Sequence, residues 1–207
     1  MILIEAGLVT SLAKPGGNTT GLSILATELD AKKIELLNQF LPSARRFGVL
    51  RDPSTSVPAR MQAIGEAARV LGIVLQTVDV QRPGDFEPAF AAFRTDGVEG
   101  IDVLASPLLF SQRHELTRLS RAEKLPAICQ FREMAEAGCL ASYGISLPMA
   151  YAALADFTDR VLKGTSPSTL PVQQPTLFEL VINLQTAHLM GLDIPKLMLA
   201  RAEEVIE

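Results

Sequence analysis

Four short segments that carry polar or aromatic side chains each follow a run of apolar residues, and these segments are the ones that could do chemistry. They are residues 51–54, 105–108, 130–132 and 142–144. If the apolar runs are parallel strands, the segments lie together at the carboxyl edge of one sheet, where open α/β folds bind small ligands. We therefore predict six ligand contacts at that edge: Asp52, Ser54, Ser106, Phe131, Arg132 and Tyr143.

The three smaller candidates belong to the point where neighbouring crossovers diverge. With strand order 2-1-3-4-5, that switch point lies between the first and third strands, so Asp52, Ser54 and Ser106 flank it. Asp52 and Ser54 could instead form an Asx turn ahead of Pro53 or cap the next helix, because both residue types favour such local hydrogen bonds. The sequence leaves a binding role and a turn-forming role open.

The three larger candidates suit a small molecule that carries a carboxylate. Either Arg132 or Arg51 could pair with that carboxylate, and Phe131 and Tyr143 could form the aromatic walls of a pocket. Phe131 could equally belong to the hydrophobic core. Because these side chains fit many carboxylates, the sequence does not name the ligand.

Other classes of site have weaker support in the sequence. The alternative is a hydrolase on the same sheet, with Ser54 or Ser106, His114 and Asp52 as its triad, but neither serine lies in a Gly-x-Ser-x-Gly elbow. A receiver-type regulatory domain needs an acidic cluster at the strand ends, whereas Asp52 stands alone. The glycine-rich segment 16–21 lacks the Gly-Lys-Ser/Thr of a phosphate loop, so we expect a tight turn there.

The cysteines and histidines do not suggest a metal centre. Cys129 and Cys139 lack zinc-ligand spacing and are too few for a disulfide framework, so we interpret both as small buried hydrophobic residues. The histidines, His114 and His188, lie far apart in the sequence. We therefore predict no metal ion and no cofactor.

The composition favours a globular protein that does not bind nucleic acid. The chain has 207 residues, of which 48% are hydrophobic, so there is ample material for a buried core. It has 19 Lys and Arg against 23 Asp and Glu, and the resulting net charge of -4 gives no bulk attraction to phosphate backbones. No apolar run reaches the roughly 20 residues that a membrane-spanning helix needs.

Short apolar runs alternate with amphipathic segments through the middle of the chain, and this alternation is typical of a parallel sheet covered by helices. We predict an α/β three-layer sandwich with a doubly wound parallel sheet in the flavodoxin-like order 2-1-3-4-5. Its five predicted strands are residues 47–50, 73–80, 101–105, 126–129 and 139–143. Three prolines predict a stiff extended connector over residues 166–175, and a further apolar strand follows at 178–182.

Capping residues and apolar spacing set the predicted helices. We expect Gly72 to end one helix in a left-handed conformation. A helix from about residue 147 to Lys163 is expected to bury the face formed by Leu147, Tyr151, Leu154 and Val161. The predicted helix starts are Thr27 (with Asp30 completing the cap), Ser56, Asp85, Ser111, Asn183 and Pro195, and the helix that starts at Asn183 is expected to end at Gly191.

Several longer motifs resemble the substrate-binding proteins of ABC transporters, in particular the family related to tryptophan- and tyrosine-uptake binding proteins. The most specific motif is Phe-Glu-Leu-Val-Ile-Asn-Leu at 178–184, and the resemblance covers essentially the whole chain. The other motifs are residues 7–23, 35–37, 41–50, 125–128, 142–144, 162–164 and 170–175.

This resemblance implies one lobe of a type I periplasmic-binding-protein fold, in which a small amino-acid-like ligand is held in a cleft between two lobes. It assigns residues 1–25 to a remnant of the first lobe and a hinge crossing, and residues 26–165 to the second α/β lobe. Residues 166–207 become a proline-rich return crossing with a terminal strand and helices. The implied protein is not an enzyme, and its implied partner is an ABC transporter permease.

The resemblance leads us to expect that the family pattern begins in its middle in this chain, without an export signal or most of the first lobe. Because one wall leaves a ligand half solvated, we expect free amino acids to bind weakly or not at all. We also expect the exposed interlobe face to favour self-association. The family implies a periplasmic or other extracytoplasmic location, whereas a chain that starts at Met1 without a signal peptide would be cytoplasmic.

Overall fold

The computed structural model describes residues 2–5, 7–24, 26–55 and 57–207. Its helices are α1 (Ile2–Glu5), α2 (Ala26–Phe40), α3 (Pro58–Leu71), α4 (Phe86–Thr95), α5 (Pro107–Ser111), α6 (Arg113–Ala122), α7 (Arg132–Ala137), α8 (Leu147–Leu162), α9 (Leu184–Met190) and α10 (Lys196–Leu199). Its strands are β1 (Arg46–Arg51), β2 (Val74–Asp79), β3 (Gly100–Val103), β4 (Ala127–Cys129), β5 (Ala141–Gly144), β6 (Glu179–Asn183) and β7 (Glu204–Ile206).

The strands form one mixed sheet in the order β2-β1-β3-β4-β5-β6-β7. Strands β1 to β5 run parallel, and their order confirms the predicted 2-1-3-4-5 arrangement. Strand β6 pairs antiparallel with β5, and β7 pairs parallel with β6. The parallel strands therefore share one carboxyl edge, which is followed by the segments that were predicted to bind a ligand.

Helices cover both faces of the sheet, as the three-layer prediction requires. The first core lies between the sheet and helices α2, α3, α9 and α10, with Ile34, Ile64 and Ala187 among its buried residues. The second core lies under α4 to α7 and includes Phe90, Leu116 and Met134. Adjacent strand residues alternate between the two cores because successive side chains of a strand point to opposite faces.

Several local signals act as the sequence predicts. Gly72 ends α3 in the left-handed region with φ 67°, and Gly191 ends α9 in the same way. The Asn183 side chain caps α9 by accepting a hydrogen bond from the Thr186 amide at 2.7 Å. The three phenylalanines of α4 are buried, which fixes its packing face: Phe86, Phe90 and Phe93.

Other helix starts differ from the predictions. Helix α2 begins at Ala26, so Thr27 lies inside its first turn, and Asp30 is buried in the protein rather than at a cap. Ser111 is the last residue of α5 and not a helix start, because Ser106 caps this short additional helix. The predicted cap Ser56 lies outside the described residues.

The prediction for the two cysteines was wrong, because Cys129 and Cys139 form a disulfide. The crossover from β4 through α7 to β5 folds back and brings their Cα atoms to 6.5 Å, within the range that a disulfide can span. Both residues are buried in the second core. A count of cysteines cannot show this proximity, since it depends on the path of the crossover.

The described chain separates into two compact units. The larger one comprises residues 26–144 and 179–207 and contains the whole sheet. The smaller one comprises residues 1–25 and 145–178, so α8 groups with the N-terminal segment and the C-terminal strands group with the sheet. The predicted boundary between residues 165 and 166 does not coincide with this division, because β6 and β7 belong to the sheet of the larger unit. The roles of the segments as lobe, hinge crossing and return crossing stay predictions.

Within the smaller unit, hydrogen bonds join the N-terminal segment to the connector at 166–175. Leu22 forms an isolated parallel bridge with Gln173, and the Thr20 hydroxyl donates to the Leu170 carbonyl at 2.7 Å. The chain from 166 to 175 is mainly extended, as predicted, with one 3-10 turn at Pro167–Thr169.

The predicted inward face of α8 was wrong. Tyr151 is 69% exposed and Leu154 and Val161 are also exposed, whereas Phe157 is the residue that α8 buries. The apolar periodicity correctly indicated an apolar face on α8, but most side chains of that face remain exposed to solvent.

Within the described ranges, no helix has the length and apolar character that a membrane crossing requires.

Candidate functional site

The loop after β1 forms a compact polar turn at the carboxyl edge of the sheet. The carboxylate of Asp52 accepts hydrogen bonds from the amide and the hydroxyl of Ser54, at 2.9 and 2.6 Å, through the same oxygen, Oδ1. This arrangement is the Asx turn that was one of the two interpretations. It leaves the second carboxylate oxygen, Oδ2, outside these turn contacts.

A cavity of about 530 Å³ opens beside this turn. It lies between β1 and β3, from which the chain continues to β2 on one side and to β4 on the other. This divergence is the switch point of the sheet. The volume falls within the range of small-molecule sites. Its lining residues are Asp52, Pro53, Ser54, Gln81 and Leu108.

Ser106 has a clear structural task at the same edge. Its side-chain oxygen accepts a hydrogen bond from the Leu109 amide at 3.0 Å and so caps α5. The residue is buried, and α5 carries the cavity residue Leu108. Ser106 thus positions the loop after β3.

The two aromatic candidates lie on opposite faces of the sheet and do not form one pocket wall. Phe131 packs against the second core, where its ring meets Phe110 edge to face with centroids 5.6 Å apart. Tyr143 packs against the first core. Phe131 follows β4 and directly precedes α7, whereas Tyr143 lies on β5, so the two rings pack in different cores.

Arg132 is engaged with two carboxylates of the chain itself. Its guanidinium donates to Glu136 at 2.9 Å and forms an ion pair with Glu204 on β7. The hydrogen bond with Glu136 is the largest of the effects that raise the pKa of Arg132, and the charge of Glu204 adds to it. The positive charge of Arg132, which was predicted to pair with a ligand carboxylate, is thus already balanced by Glu136 and Glu204.

A buried ion network lies beneath the loops after β1 and β3, and sequence patterns did not predict it. The network, here called the buried tetrad, consists of Asp30, Lys33, Arg60 and Asp102, each at most 2% exposed. Lys33 Nζ lies 2.6 Å from Asp102 and 3.2 Å from Asp30, and Arg60 Nε donates to Asp30 at 2.6 Å.

The tetrad also holds main-chain groups at the carboxyl edge. Lys33 donates to the Val103 carbonyl at 2.8 Å. Arg60 Nη1 makes longer contacts with the carbonyls of Thr55 and Ala105, at 3.3 and 3.4 Å. The two loops that flank the switch point therefore share one buried cation.

Burial raises the pKa of the Asp102 carboxyl to about 6, chiefly because desolvation disfavours the charged form. The negative charge of Asp30 adds to the rise, whereas the positive charges of Lys33 and Arg60 oppose it. A signal for the tetrad was present in the sequence, since Asp102 interrupts an apolar strand and Asp30 and Lys33 fall on the same helix face as Ile34. Helix capping was the competing interpretation of Asp30.

The alternative triad of a hydrolase is not assembled in the described chain. The Ser54 hydroxyl donates to Asp52, and Ser106 caps α5. His114 is exposed on α6, and none of the hydrogen bonds made by these serines reaches it. The two serines named for that triad are therefore engaged in local hydrogen bonds of their own loops.

Comparison with known proteins shows consistent similarities. A tyrosine-binding protein of Clostridioides difficile (strain R20291) is 28% identical over 198 residues, which are 94% of this chain and 55% of that protein. The chain thus spans about half the length of this curated relative.

Two solved structures have the same fold over nearly the whole chain. A conserved domain protein from Vibrio cholerae O1 biovar El Tor is 28% identical with a TM-score of 0.88, over 98% of this chain and 68% of that one. An ABC domain from Streptococcus pneumoniae, solved in complex with L-Trp, is 27% identical with a TM-score of 0.88, over 99% and 68%. The family model described as ABC transporter substrate binding protein matches residues 2–206. This chain belongs to the ABC transporter substrate-binding protein family.

Proposed function

We propose that this chain recognises a small amino-acid-like solute at the carboxyl edge of its sheet, for delivery to the permease of an ABC transporter. The observation that carries the proposal is the cavity beside Asp52 and Ser54 at the switch point. Ligands of open α/β sheets bind at such points. Membership of the substrate-binding family supports the same role.

Relatives indicate the chemical class of the solute. One is a tyrosine-binding protein, and another was solved with L-Trp. A free L-amino acid carries an ammonium group, a carboxylate and a side chain of variable polarity. In the proposed site, Asp52 faces the ammonium group, since its Oδ2 is not used by the Asx turn.

The six predicted contacts take different parts in this proposal. Asp52 and Ser54 contact the solute, whereas Ser106 positions the loop that carries Leu108. Phe131 and Tyr143 supply apolar surface on separate faces. Arg132 contributes least, because Glu136 and Glu204 already balance its charge.

An extracytoplasmic location fits this role, and the buried disulfide supports it. Disulfides persist in oxidising compartments and are rare in the cytosol of most organisms. We further propose a binding rather than a catalytic activity for the chain. Self-association through an exposed apolar face stays a prediction, and the exposed residues Met149, Tyr151 and Leu162 of α8 identify the surface to examine.

Because a single wall leaves the solute half solvated, the proposal predicts weak binding, and it is tested by thermal unfolding with L-tyrosine, L-tryptophan and L-leucine at millimolar concentration. A ligand that binds the folded chain raises the unfolding midpoint. We expect the rise to be lost in Asp52→Asn, since asparagine keeps the turn but removes the charge. Asp96→Asn, at an exposed residue where the chain approaches β3, is the matched control and should respond like the wild type. A wild type that responds to none of the amino acids contradicts the proposal.

A further inference from the structure

Gln130 carries a buried carboxamide with no hydrogen-bond partner among the described residues. The residue is 1% exposed, and both Oε1 and Nε2 are unpaired. It follows Cys129, the last residue of β4, and so lies at the carboxyl edge of the sheet. The six predicted contacts did not include it, although its neighbours Phe131 and Arg132 were among them.

A second buried carboxamide shows how the same chain treats such a group when its role is structural. Asn183 is 3% exposed; its Nδ2 donates to the Ala135 carbonyl at 2.8 Å, and its Oδ1 accepts from the Thr186 amide at 2.7 Å. Native proteins pair nearly all buried polar groups, because an unpaired one loses its hydration without compensation. Gln130 departs from this pattern at both ends of its amide.

The position of Gln130 is fixed by the neighbouring strand. A Cβ at Gly144, the last residue of β5, would overlap the Gln130 carbonyl oxygen and would lie 2.9 Å from its Cγ. The absence of a side chain at Gly144 therefore lets the Gln130 backbone and the start of its side chain lie directly against β5. The backbone and the Cγ atom from which the amide extends are therefore held against β5 rather than on a loose loop.

We propose that the Gln130 carboxamide binds the charged head of an α-amino acid, with Nε2 donating to the carboxylate and Oε1 accepting from the ammonium group. This inference rests on the proposed function and adds a residue to it. An unpaired donor and an unpaired acceptor on one planar group call for a ligand that offers an acceptor and a donor side by side. The zwitterionic head of an amino acid does so, whereas a simple carboxylate or a simple amine meets only one of the two needs.

The first test needs no ligand and asks whether the amide is used by the fold. We compare urea unfolding of the wild type with Gln130→Leu, which has a similar volume and no polar group. Because an apolar replacement of an unsatisfied group is neutral or stabilising, the variant should unfold at the same or a higher urea concentration. A clear loss of stability would show that the amide has a structural partner, and it would overturn the proposal.

Gln76→Leu is the matched control. Gln76 lies on the edge strand β2 and also has a buried Oε1 without a hydrogen-bond partner among the described residues. This control makes the same chemical change away from the β4–β5 part of the carboxyl edge. We expect it to leave ligand binding unchanged.

The second test is calorimetric titration of the three proteins with L-tryptophan, L-phenylalanine, 3-phenylpropionate and phenethylamine. We expect Gln130→Leu to weaken binding of the amino acids about tenfold or more, since hydrogen bonds to charged groups are worth that much. The two phenylalanine analogues, each lacking one charged group, should bind the wild type weakly, and the variant should discriminate less between them and L-phenylalanine. If Gln130→Leu and the wild type bind the amino acids with equal affinity, this inference alone is overturned. If the folded wild type binds none of the amino acids, both the proposed function and this inference are overturned.

Discussion

Asp102 links the stability of the fold to pH at the scale of a single residue. Its carboxyl has a pKa of about 6 in the folded chain against an ordinary value of 3.8, so the folded state holds the proton more tightly between these values. The free energy of unfolding should therefore fall as pH rises from about 4 to about 6. Each pKa unit is worth about 1.4 kcal/mol, so the full effect is on the order of 3 kcal/mol.

The measurement is urea unfolding of the wild type and of Asp102→Asn across pH 4 to 7. Asparagine resembles the protonated carboxyl and does not titrate, so the variant should gain stability relative to the wild type as pH rises through this window. Exposed carboxylates such as Glu66 and Glu115 have pKa values lowered by hydrogen bonds from arginines, and their effect is the same in both proteins. Parallel pH profiles of the two proteins would contradict the assignment to Asp102.

Gly144 gives a second prediction at this scale. In Gly144→Ala the new Cβ would overlap the Gln130 carbonyl, which belongs to the backbone and cannot rotate away. We expect a loss of about 3 kcal/mol of unfolding free energy. Gly65→Ala in α3 is the control, because a Cβ there meets nothing within 4 Å and alanine favours a helix by about 1 kcal/mol. Equal stability of the two variants would refute the close approach at Gly144.

Residue types alone predicted positions at the carboxyl edge but not the tasks of the residues there. Asp52 was placed correctly because an apolar strand precedes it, whereas its Asx turn and a binding role shared one sequence pattern. The partners of Arg132 could not be predicted, since Glu204 is 72 residues away in the sequence and belongs to a strand that the sequence did not reveal. The unpaired state of Gln130 depends on what surrounds it, which no spacing encodes.

At the scale of elements, the disulfide ties the crossover between β4 and β5. Its cysteines are ten residues apart, and closing a loop of this length removes entropy worth roughly 3 kcal/mol from the unfolded chain. Replacing both cysteines in Cys129→Ala/Cys139→Ala should lower the unfolding free energy by about that amount. The loss has an entropic origin, so it should appear without a change in the fold.

Thermal unfolding with and without dithiothreitol provides the check. We expect the reductant to destabilise the wild type to the level of the double variant and to leave the double variant unaffected. A wild type that is insensitive to reductant, and equal to the double variant without it, would mean that the disulfide is not formed in the folded protein.

The elements that the sequence predicted best are those with local signals. Gly72, Gly191 and Asn183 act within one turn of their own positions, so they marked the ends of α3 and α9 correctly. The strand β7 was missed because Glu204–Ile206 is short and pairs with a distant partner, β6. The exposed face of α8 was misjudged because periodicity shows that a helix has an apolar face, not what covers it.

At the scale of the whole molecule, one mixed sheet determines where chemistry can occur. Strand alternation predicted its parallel part and its order, since right-handed crossovers leave few other arrangements. The antiparallel join of β5 to β6 could not be predicted from local patterns, because β6 follows after 34 residues that belong to a separate compact unit. The shared carboxyl edge is the feature that brings the loops after β1, β3, β4 and β5 to one surface.

The central claim is that this carboxyl edge binds an amino acid, and a nitrogen-15 NMR titration of the chain tests it most directly. L-tryptophan and L-leucine are added to millimolar concentration, so that weak binding is detected. We expect the shifted backbone amides to cluster in residues 52–54, 105–108, 130–131 and 143–144. Shifts confined to another surface, such as α8, or no shifts at all, would contradict the claim.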